Sequence, residues 1–257
     1  MKVAIIAITR QGKSTAFKIK EFLPESQLYL PAKLHKENKH ARSFEGKLTD
    51  LTNKLFREFK GIIFCMAAGI VVRVIAASLE NKHTDPAIVV VDDQGRFAIS
   101  LLSGHEGGAN SLAIRVANSL GAEPVVTTAS ESRKKIVIGI GCRRGIDKKE
   151  IVKAVRYAIK RIGSSIKKIR CIATIDLKQN ERGLQEACNR LEIPLRIVSA
   201  ELIKKFRGTY KKSAFVKEKI GVEGVSEPCA LIVAKKPKLI LAKTKIGRVT
   251  IAAAEEA

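Results

Sequence analysis

Val3-Ala4-Ile5-Ile6-Ala7-Ile8, followed by Thr9-Arg10-Gln11-Gly12-Lys13, is the stretch that decides the fold. Six apolar residues with no polar alternation read as a strand covered on both faces, since a strand wetted on one side alternates. Thr9 to Lys13 reads as a turn, and Ser14 to Phe22 as an amphipathic helix stopped by Pro24. Strand, turn and helix in that order begin an α/β fold.

The pattern continues outward. Leu28 to Leu30 is a short strand, Pro31 to Lys47 a basic loop, and Leu48 to Phe59 a helix with Leu51, Leu55 and Phe59 on one face. Gly61 to Met66 and Ile88 to Val91 are further buried strands, with Ala67 to Ala77 fitting either state. Asp93-Gln94-Gly95 has hairpin chemistry and leads into a strand, Phe97 to Leu101. A helix over Ala109 to Leu120 and a strand over Val125 to Thr127 close the first half, with Ser130 to Lys135 as the linker. In the second half, strands are expected at Ile136 to Ile140, Ile169 to Thr174, Leu195 to Val198, Leu239 to Ala242 and Arg248 to Ala252. Helices are expected at Ile151 to Ile162, Gly183 to Leu191 and Ala200 to Phe206, and Val216 to Val225 reads as loop. Asp147 and Glu150 have capping-box spacing at the head of the first of these helices. The expectation is two α/β domains, 1–134 and 135–257, each a three-layer sandwich with a mostly parallel or mixed sheet.

Composition narrows the function classes. At 257 residues and 46% hydrophobic, the chain is long enough for two cores. The longest apolar run is broken by Gly69 and closed by Arg73, short of a bilayer span, so no membrane segment is expected. The first residues lack a cleavage pattern and read as a strand rather than a signal peptide, so the expected compartment is the cytoplasm. Five cysteines, Cys65, Cys142, Cys171, Cys188 and Cys229, are scattered without ligand spacing, against both a disulfide framework and a zinc site. No protein-bound metal is expected.

The net charge of +23 implies an anionic partner. The excess sits in the second half: residues 1–134 carry 19 Lys+Arg against 13 Asp+Glu, the remainder 29 against 12. Nucleic acid is disfavoured as that partner, because only 5% of residues are aromatic, there is no Trp, and no recognition-motif signature occurs. A polyanionic small molecule fits the charge equally well.

One segment is built for chemistry. Ser100-Leu101-Leu102-Ser103-Gly104-His105-Glu106-Gly107-Gly108-Ala109-Asn110 places three glycines, a histidine and a carboxylate where a strand meets a helix. The first amides of that helix are expected to stand unpaired and to hold an oxyanion while His105 handles a proton. A competing motif is Ala7 to Ser14, a Walker A variant in which Gly12-Lys13-Ser14 would bind phosphate and Asp92 would help hold magnesium. The loop lacks the second glycine that lets a backbone wrap phosphates.

Several stretches together resemble the cobalt-precorrin-5A hydrolase family of anaerobic cobalamin biosynthesis. In the first half they are Ala68-Gly69-Ile70-Val71-Val72-Arg73, Lys82-His83-Thr84-Asp85-Pro86 through Asp92, Ser100 to Asn110, and Leu120 to Thr128. In the second they are Gly139-Ile140-Gly141-Cys142-Arg143-Arg144-Gly145, Ala173 to Lys178, Ile193-Pro194-Leu195, and Glu227 to Leu231. The resemblance implies a cobalt-corrinoid substrate whose δ-lactone is opened and whose two-carbon fragment leaves as acetaldehyde, giving cobalt-precorrin-5B. It implies no cofactor beyond the cobalt that the substrate carries.

On that resemblance, the polycarboxylate macrocycle lies between two domains. Arg73, Arg143 and Arg144 grip its carboxylates, Gly141 and Gly145 let a loop approach the ring, and Ser103, Gly104 and Asn110 line the Gly-His loop. His105 is the candidate base or a ligand to the substrate cobalt, Gly107 and Gly108 the oxyanion donors, and Glu106 or Asp85 the orienting carboxylate. Glu227, beside Pro228, and Asp176 are weaker candidates for ordering a loop over the substrate, with a turn or cap role the favoured reading, and Cys142 reads as a packing residue. A homodimer and hand-over to other enzymes of the pathway are compatible with the reading. The chain departs from the family in two respects: the middle region between the conserved halves is reduced to Ser130 to Lys135, and Glu106 stands where an apolar residue is expected. The classes left in competition are a P-loop nucleotide hydrolase and a basic nucleic-acid-binding protein.

Overall fold

The computed structural model describes residues 1–35, 39–81 and 83–257. It divides into two compact units, Met1–Thr128 and Ala129–Ala257.

The first unit opens with β1 (Val3–Ala7), α1 (Arg10–Phe22), β2 (Gln27–Pro31), α2 (Ala32–His35) and β3 (Ala41–Phe44). It continues with α3 (Leu48–Glu58), β4 (Gly61–Cys65), α4 (Ala68–Ile75), β5 (Ala87–Val91), β6 (Phe97–Leu102), α5 (Ala109–Leu120) and β7 (Glu123–Val125). Its sheet has the order β3-β2-β1-β4-β5-β6-β7. All neighbours are parallel except β5 and β6, so β6 and β7 run against the other five strands. Alternate residues of β1 feed separate cores, which makes the unit three-layered. Val3, Ile5 and Ala7 pack with Ala16 and Ile19 of α1 and Leu112 and Val116 of α5. Ala4 and Ile6 pack with Leu55 of α3 and Val71 and Ile75 of α4.

The second unit carries α6 (Ala129–Ser132), β8 (Ile136–Cys142), α7 (Lys148–Arg161), β9 (Ile169–Ile175), α8 (Arg182–Leu191) and β10 (Leu195–Val198). It ends with α9 (Ala200–Lys205), α10 (Ala214–Ile220), α11 (Ser226–Val233), β11 (Pro237–Ile246) and β12 (Val249–Glu256). The sheet order is β10-β9-β8-β12-β11, with β8, β9 and β10 parallel and β12 antiparallel to both β8 and β11. Ile136, Ile138 and Ile140 face α7 and α8, while Val137 faces Cys229 and Ala230 of α11. Both units are therefore three-layer α/β sandwiches with mixed sheets.

Several boundaries differ from the sequence reading. Thr9 to Lys13 is not a free turn: Thr9 caps α1 by accepting the Gly12 N–H at 2.8 Å, and the helix begins at Arg10. This removes the phosphate-binding loop of the competing Gly12-Lys13-Ser14 reading. Gly12 sits in the first helical turn, where a Cβ would lie 2.7 Å from the Cys65 carbonyl and from Asp93 Oδ1, and Lys13 Nζ donates to the Leu34 carbonyl at 2.7 Å. Asp92 accepts from Arg96 and Phe97 and pins the hairpin between β5 and β6. The Pro31 to Lys47 region contains α2 and β3, whose short amphipathic pieces are hidden in a lysine-rich stretch; Lys36, Glu37 and Asn38 lie outside the described residues, as does Lys82. Val216 to Val225 contains most of α10, and β11 runs from Pro237 to Ile246 rather than four residues. Gly141 belongs to strand β8, paired with Thr250, rather than to the loop beyond it.

Candidate functional site

The Gly-His loop connects β6 to α5 and α5 returns to β7, so it stands at the carboxyl ends of a parallel strand pair. Because β6 opposes β5, this is also the end of the sheet at which β5 begins, beside Asp85. The loop is closed on itself. The Ala109 N–H donates to the Ser103 carbonyl at 3.2 Å and the Asn110 N–H to the Gly104 carbonyl at 2.9 Å. The expectation that the first helical amides stand unpaired is thus corrected at these two positions: the loop folds back and uses them. Among the described residues the N–H groups of Gly107 and Gly108 have no hydrogen-bond partner.

Polar side chains fix the frame. Asn110, 9% exposed, accepts from Ser100 Oγ at 2.7 Å and donates to Thr128 Oγ1 at 3.1 Å, tying the loop to β6 and to the chain after β7. Ser103 takes a left-handed conformation at φ 56°, unusual for a residue with a Cβ, and its Oγ donates to the Asp85 carbonyl at 3.0 Å. Gly104 completes the turn.

Ser103 thereby joins the loop to a second segment, residues 80–86. Asp85 is buried, and both of its carboxylate oxygens accept the Glu80 N–H, at 3.1 and 3.3 Å. Its carboxylate orders this segment, and among the described residues it makes no bond to His105. Asn81 Oδ1 accepts the backbone N–H groups of His83 at 2.9 Å and Thr84 at 3.2 Å. The Glu106 carboxylate meets His83, with Oε2 2.9 Å from Nδ1. His105 itself is exposed and unpaired among the described residues. A concavity of about 420 Å³ borders the segment, walled by Asn53, Arg57, Lys60, Ser78, Glu80 and Asp85 among others. Arg73 is exposed in the last turn of α4, which leads into the 3-10 turn Ala76–Ser78 of that wall.

In the second unit, Arg143 and Arg144 are exposed in the loop between β8 and α7. Glu181 Oε1 organises this loop, accepting the N–H of Gly145 at 2.9 Å and of Ile146 at 3.3 Å, while Oε2 pairs with Lys178 at 3.2 Å. Sequence reasoning missed Glu181, because a carboxylate in a polar stretch gives no sign of capping a distant loop. Gly141 sits at the base, its carbonyl accepting Thr250 Oγ1 at 3.1 Å. Burial pushes the Cys142 thiol up to about 11, against nucleophilic use. Glu227 is 3% exposed and accepts the N–H groups of Lys211 at 2.5 Å and Lys243 at 2.6 Å. Asp176 accepts those of Leu177 at 2.8 Å and Ala200 at 3.0 Å. Both carboxylates hold backbone N–H groups in place. Among the described residues no group of three or more His, Cys, Asp or Glu could hold a metal ion, and no helix is long and apolar enough to cross a membrane.

Comparison with known proteins matches residues 50–131 to the family description "Cobalamin synthesis G N-terminal" and residues 136–254 to "Cobalamin synthesis G C-terminus". A cobalt-precorrin-5A hydrolase of Priestia megaterium is 27% identical over 352 positions, covering 98% of this chain and 94% of that protein. One from Salmonella typhimurium is 23% identical, covering 91% and 92%. With 352 aligned positions against 257 residues, a long stretch of the first relative stands opposite no residue of this chain. Among solved structures, a cobalamin biosynthesis protein G homolog from Sulfolobus solfataricus is 21% identical with a TM-score of 0.41, covering 100% of this chain and 97% of its own.

Proposed function

Since the chain belongs to the cobalamin synthesis G family, matched in both its N-terminal and C-terminal parts, we propose that it is a cobalt-precorrin-5A hydrolase of cobalamin biosynthesis. The observation that carries the reading is likeness along nearly the whole chain to proteins of that name. A nucleotide hydrolase is not supported, because helix α1 begins where a phosphate loop would have to open.

The reaction opens the δ-lactone of cobalt-precorrin-5A with one water and then releases acetaldehyde, giving cobalt-precorrin-5B. The loop of residues 103–108 suits the first step. A tetrahedral oxyanion needs hydrogen-bond donors fixed before the reaction begins, and the N–H groups of Gly107 and Gly108 are available for it on a loop whose carbonyls at Ser103 and Gly104 are held by the Ala109 and Asn110 N–H groups. An imidazole on this loop or on the 80–86 segment tied to it takes the proton from the attacking water. Lactone opening frees a hydroxyl; its loss of a proton forms the acetaldehyde C=O while the C–C bond breaks, and the electron pair passes into the conjugated macrocycle. In this reading His105, exposed on the loop, contacts the macrocycle.

The substrate is a polycarboxylate, and the exposed arginines Arg73, Arg143 and Arg144 are the candidate groups for its carboxylates. Guanidinium groups fork onto carboxylates and lose little hydration in doing so. No cofactor beyond the substrate's own cobalt is required. A cytoplasmic setting, a homodimer and hand-over of product to the next enzyme extend the same proposal. The test is incubation of the purified protein with cobalt-precorrin-5A, with acetaldehyde trapped and the corrinoid product weighed by mass spectrometry. One equivalent of acetaldehyde per corrinoid is expected; unchanged substrate in the presence of folded protein refutes the proposal.

A further inference from the structure

We propose that His83, held by Glu106, is the general base that activates the lactone-opening water; the inference rests on the hydrolase reading above. The chain has 4 histidines. His35 lies in α2 and bonds the Ala41 carbonyl through Nε2 at 2.9 Å, and His40 lies in the adjoining turn. Only His83 and His105 stand on the two segments that Ser103 and Asp85 tie together.

The orienting carboxylate distinguishes these two. Asp85 spends both oxygens on the Glu80 N–H, and Glu106 is engaged with His83 Nδ1 at 2.9 Å. An imidazole whose Nδ1–H donates to a carboxylate is locked in one tautomer, leaving a lone pair on Nε2 and a partner that stabilises the imidazolium once a proton arrives. His83 is held from the backbone as well, its N–H donating to Asn81 Oδ1 at 2.9 Å. Its side chain is 66% exposed, so Nε2 is open to a ligand lying on the loop. Glu106 thus has a role: it turns an exposed histidine on the neighbouring segment into an oriented base.

In the step itself the water oxygen bonds to the lactone carbonyl carbon as Nε2 of His83 takes its proton. The ring C–O bond then breaks, and the proton returns from Nε2 to the departing alkoxide oxygen. The products are a carboxylic acid and a free hydroxyl; the imidazole ends neutral, and nothing is oxidised or reduced.

The experiment compares His83→Ala, His105→Ala and Glu106→Gln with wild type on cobalt-precorrin-5A. It measures kcat and KM for acetaldehyde release with and without added imidazole, and corrinoid binding by its visible absorbance. General-base loss lowers kcat about 100-fold or more. For His83→Ala that loss is expected with KM within threefold of wild type and with recovery in proportion to imidazole concentration, which a merely structural histidine would not give. Glu106→Gln is expected to lower kcat about 10-fold, and imidazole is expected not to restore His105→Ala. Wild-type kcat in His83→Ala, loss without rescue, or rescue of His105→Ala instead overturns the assignment and leaves the hydrolase reading in place. Wild-type protein that binds the corrinoid and releases no acetaldehyde removes both.

Discussion

Replacing Gly107 with alanine tests whether the shape of the Gly-His loop matters to the chemistry. A Cβ at Gly107 would lie 2.4 Å from Ser103 Cβ and 2.9 Å from the Ser103 carbonyl oxygen. Apolar carbons rest about 3.5–4.0 Å apart, so one of the two residues has to move by more than an ångström. Ser103 cannot do so freely, because its Oγ is bonded to the Asp85 carbonyl and its own carbonyl to the Ala109 N–H. Moving it breaks at least one hydrogen bond, about 1 kcal/mol net, in addition to about 1–3 kcal/mol for overpacking. The cheaper outcome is a rearranged loop with the Gly107 and Gly108 amides re-aimed. Gly108 is the control: its φ is +87° and nothing lies within 4 Å of its Cβ position, so alanine there costs about 1–2 kcal/mol of left-handed strain without a clash. Urea unfolding should show a loss of about 2–4 kcal/mol for Gly107→Ala and about 1–2 kcal/mol for Gly108→Ala. Acetaldehyde release should fall about 100-fold in the first, in the range for removal of one preorganised oxyanion donor, and no more than about 10-fold in the second. If Gly107→Ala is destabilised yet turns over within threefold of wild type, the loop's geometry plays no part in catalysis and the oxyanion assignment falls.

Lys13→Ala should release acetaldehyde at the wild-type rate, since its ammonium bonds the Leu34 carbonyl and lies over the Phe17 ring; calorimetric titration with magnesium ATP should give no binding heat for either protein, and a saturable isotherm would revive the nucleotide reading. Arg143→Ala and Arg144→Ala should each raise KM for the macrocycle about 10-fold with kcat unchanged, the size of one charge-assisted contact; an unchanged KM in the double variant would remove this loop from substrate binding. Burial pushes the Asp92 carboxyl up, but hydrogen bonds from the Arg96 side chain and from the N–H groups of Phe97 and Arg96, with the Arg96 charge, outweigh it and hold the group below the usual 3.8. A lowered folded pKa contributes stability that is present above the unfolded value and lost as pH falls through the folded one. Urea midpoints measured from pH 6 to pH 2.5 should therefore fall less steeply below about pH 5 in Asp92→Asn than in wild type, and parallel curves would show that Asp92 does not anchor the hairpin.

What was legible in the sequence follows from how far each signal reaches along the chain. Buried strands announce themselves locally: Val3–Ala7, Gly61–Cys65 and Ala87–Val91 are wholly buried and wholly readable. The same holds for α5, whose limits are set by Gly108 and Gly121, both left-handed. Lysine-rich stretches hide their elements instead, because α10 and β11 bury only part of their surface and present long charged side chains on the rest. The start of α1, with its Gly12-Lys13-Ser14, misleads for the opposite reason. Gly12 is required by close approach to the Cys65 carbonyl, a contact between helix α1 and strand β4 distant in sequence, and a glycine demanded by packing looks the same in sequence as one demanded by a phosphate.

The site divides along the same line. That residues 100–110 form a strand-loop-helix unit follows from local chemistry, and so does the presence of an imidazole there. Which carboxylate serves which imidazole does not, because it depends on β6 running against β5, which brings the end of one strand to the start of the other. Parallel pairing would have carried residues 80–86 to the far end of the sheet from Glu106. The open α/β rule places ligands at the carboxyl ends of strands where the order reverses, which in this sheet lies between β1 and β4. There Thr9 caps α1 and Gly12 fills the space against Cys65 and Asp93. The reversed pair β6 and β7 supplies a second set of carboxyl ends at the other edge, and the glycines, the strained Ser103 and the paired Glu106 and His83 gather at that one. Local strain held by hydrogen bonds on both sides persists only where the surrounding structure enforces it, and among the described residues of the first unit this loop is the place where such strain, free amides and a carboxylate-backed imidazole coincide.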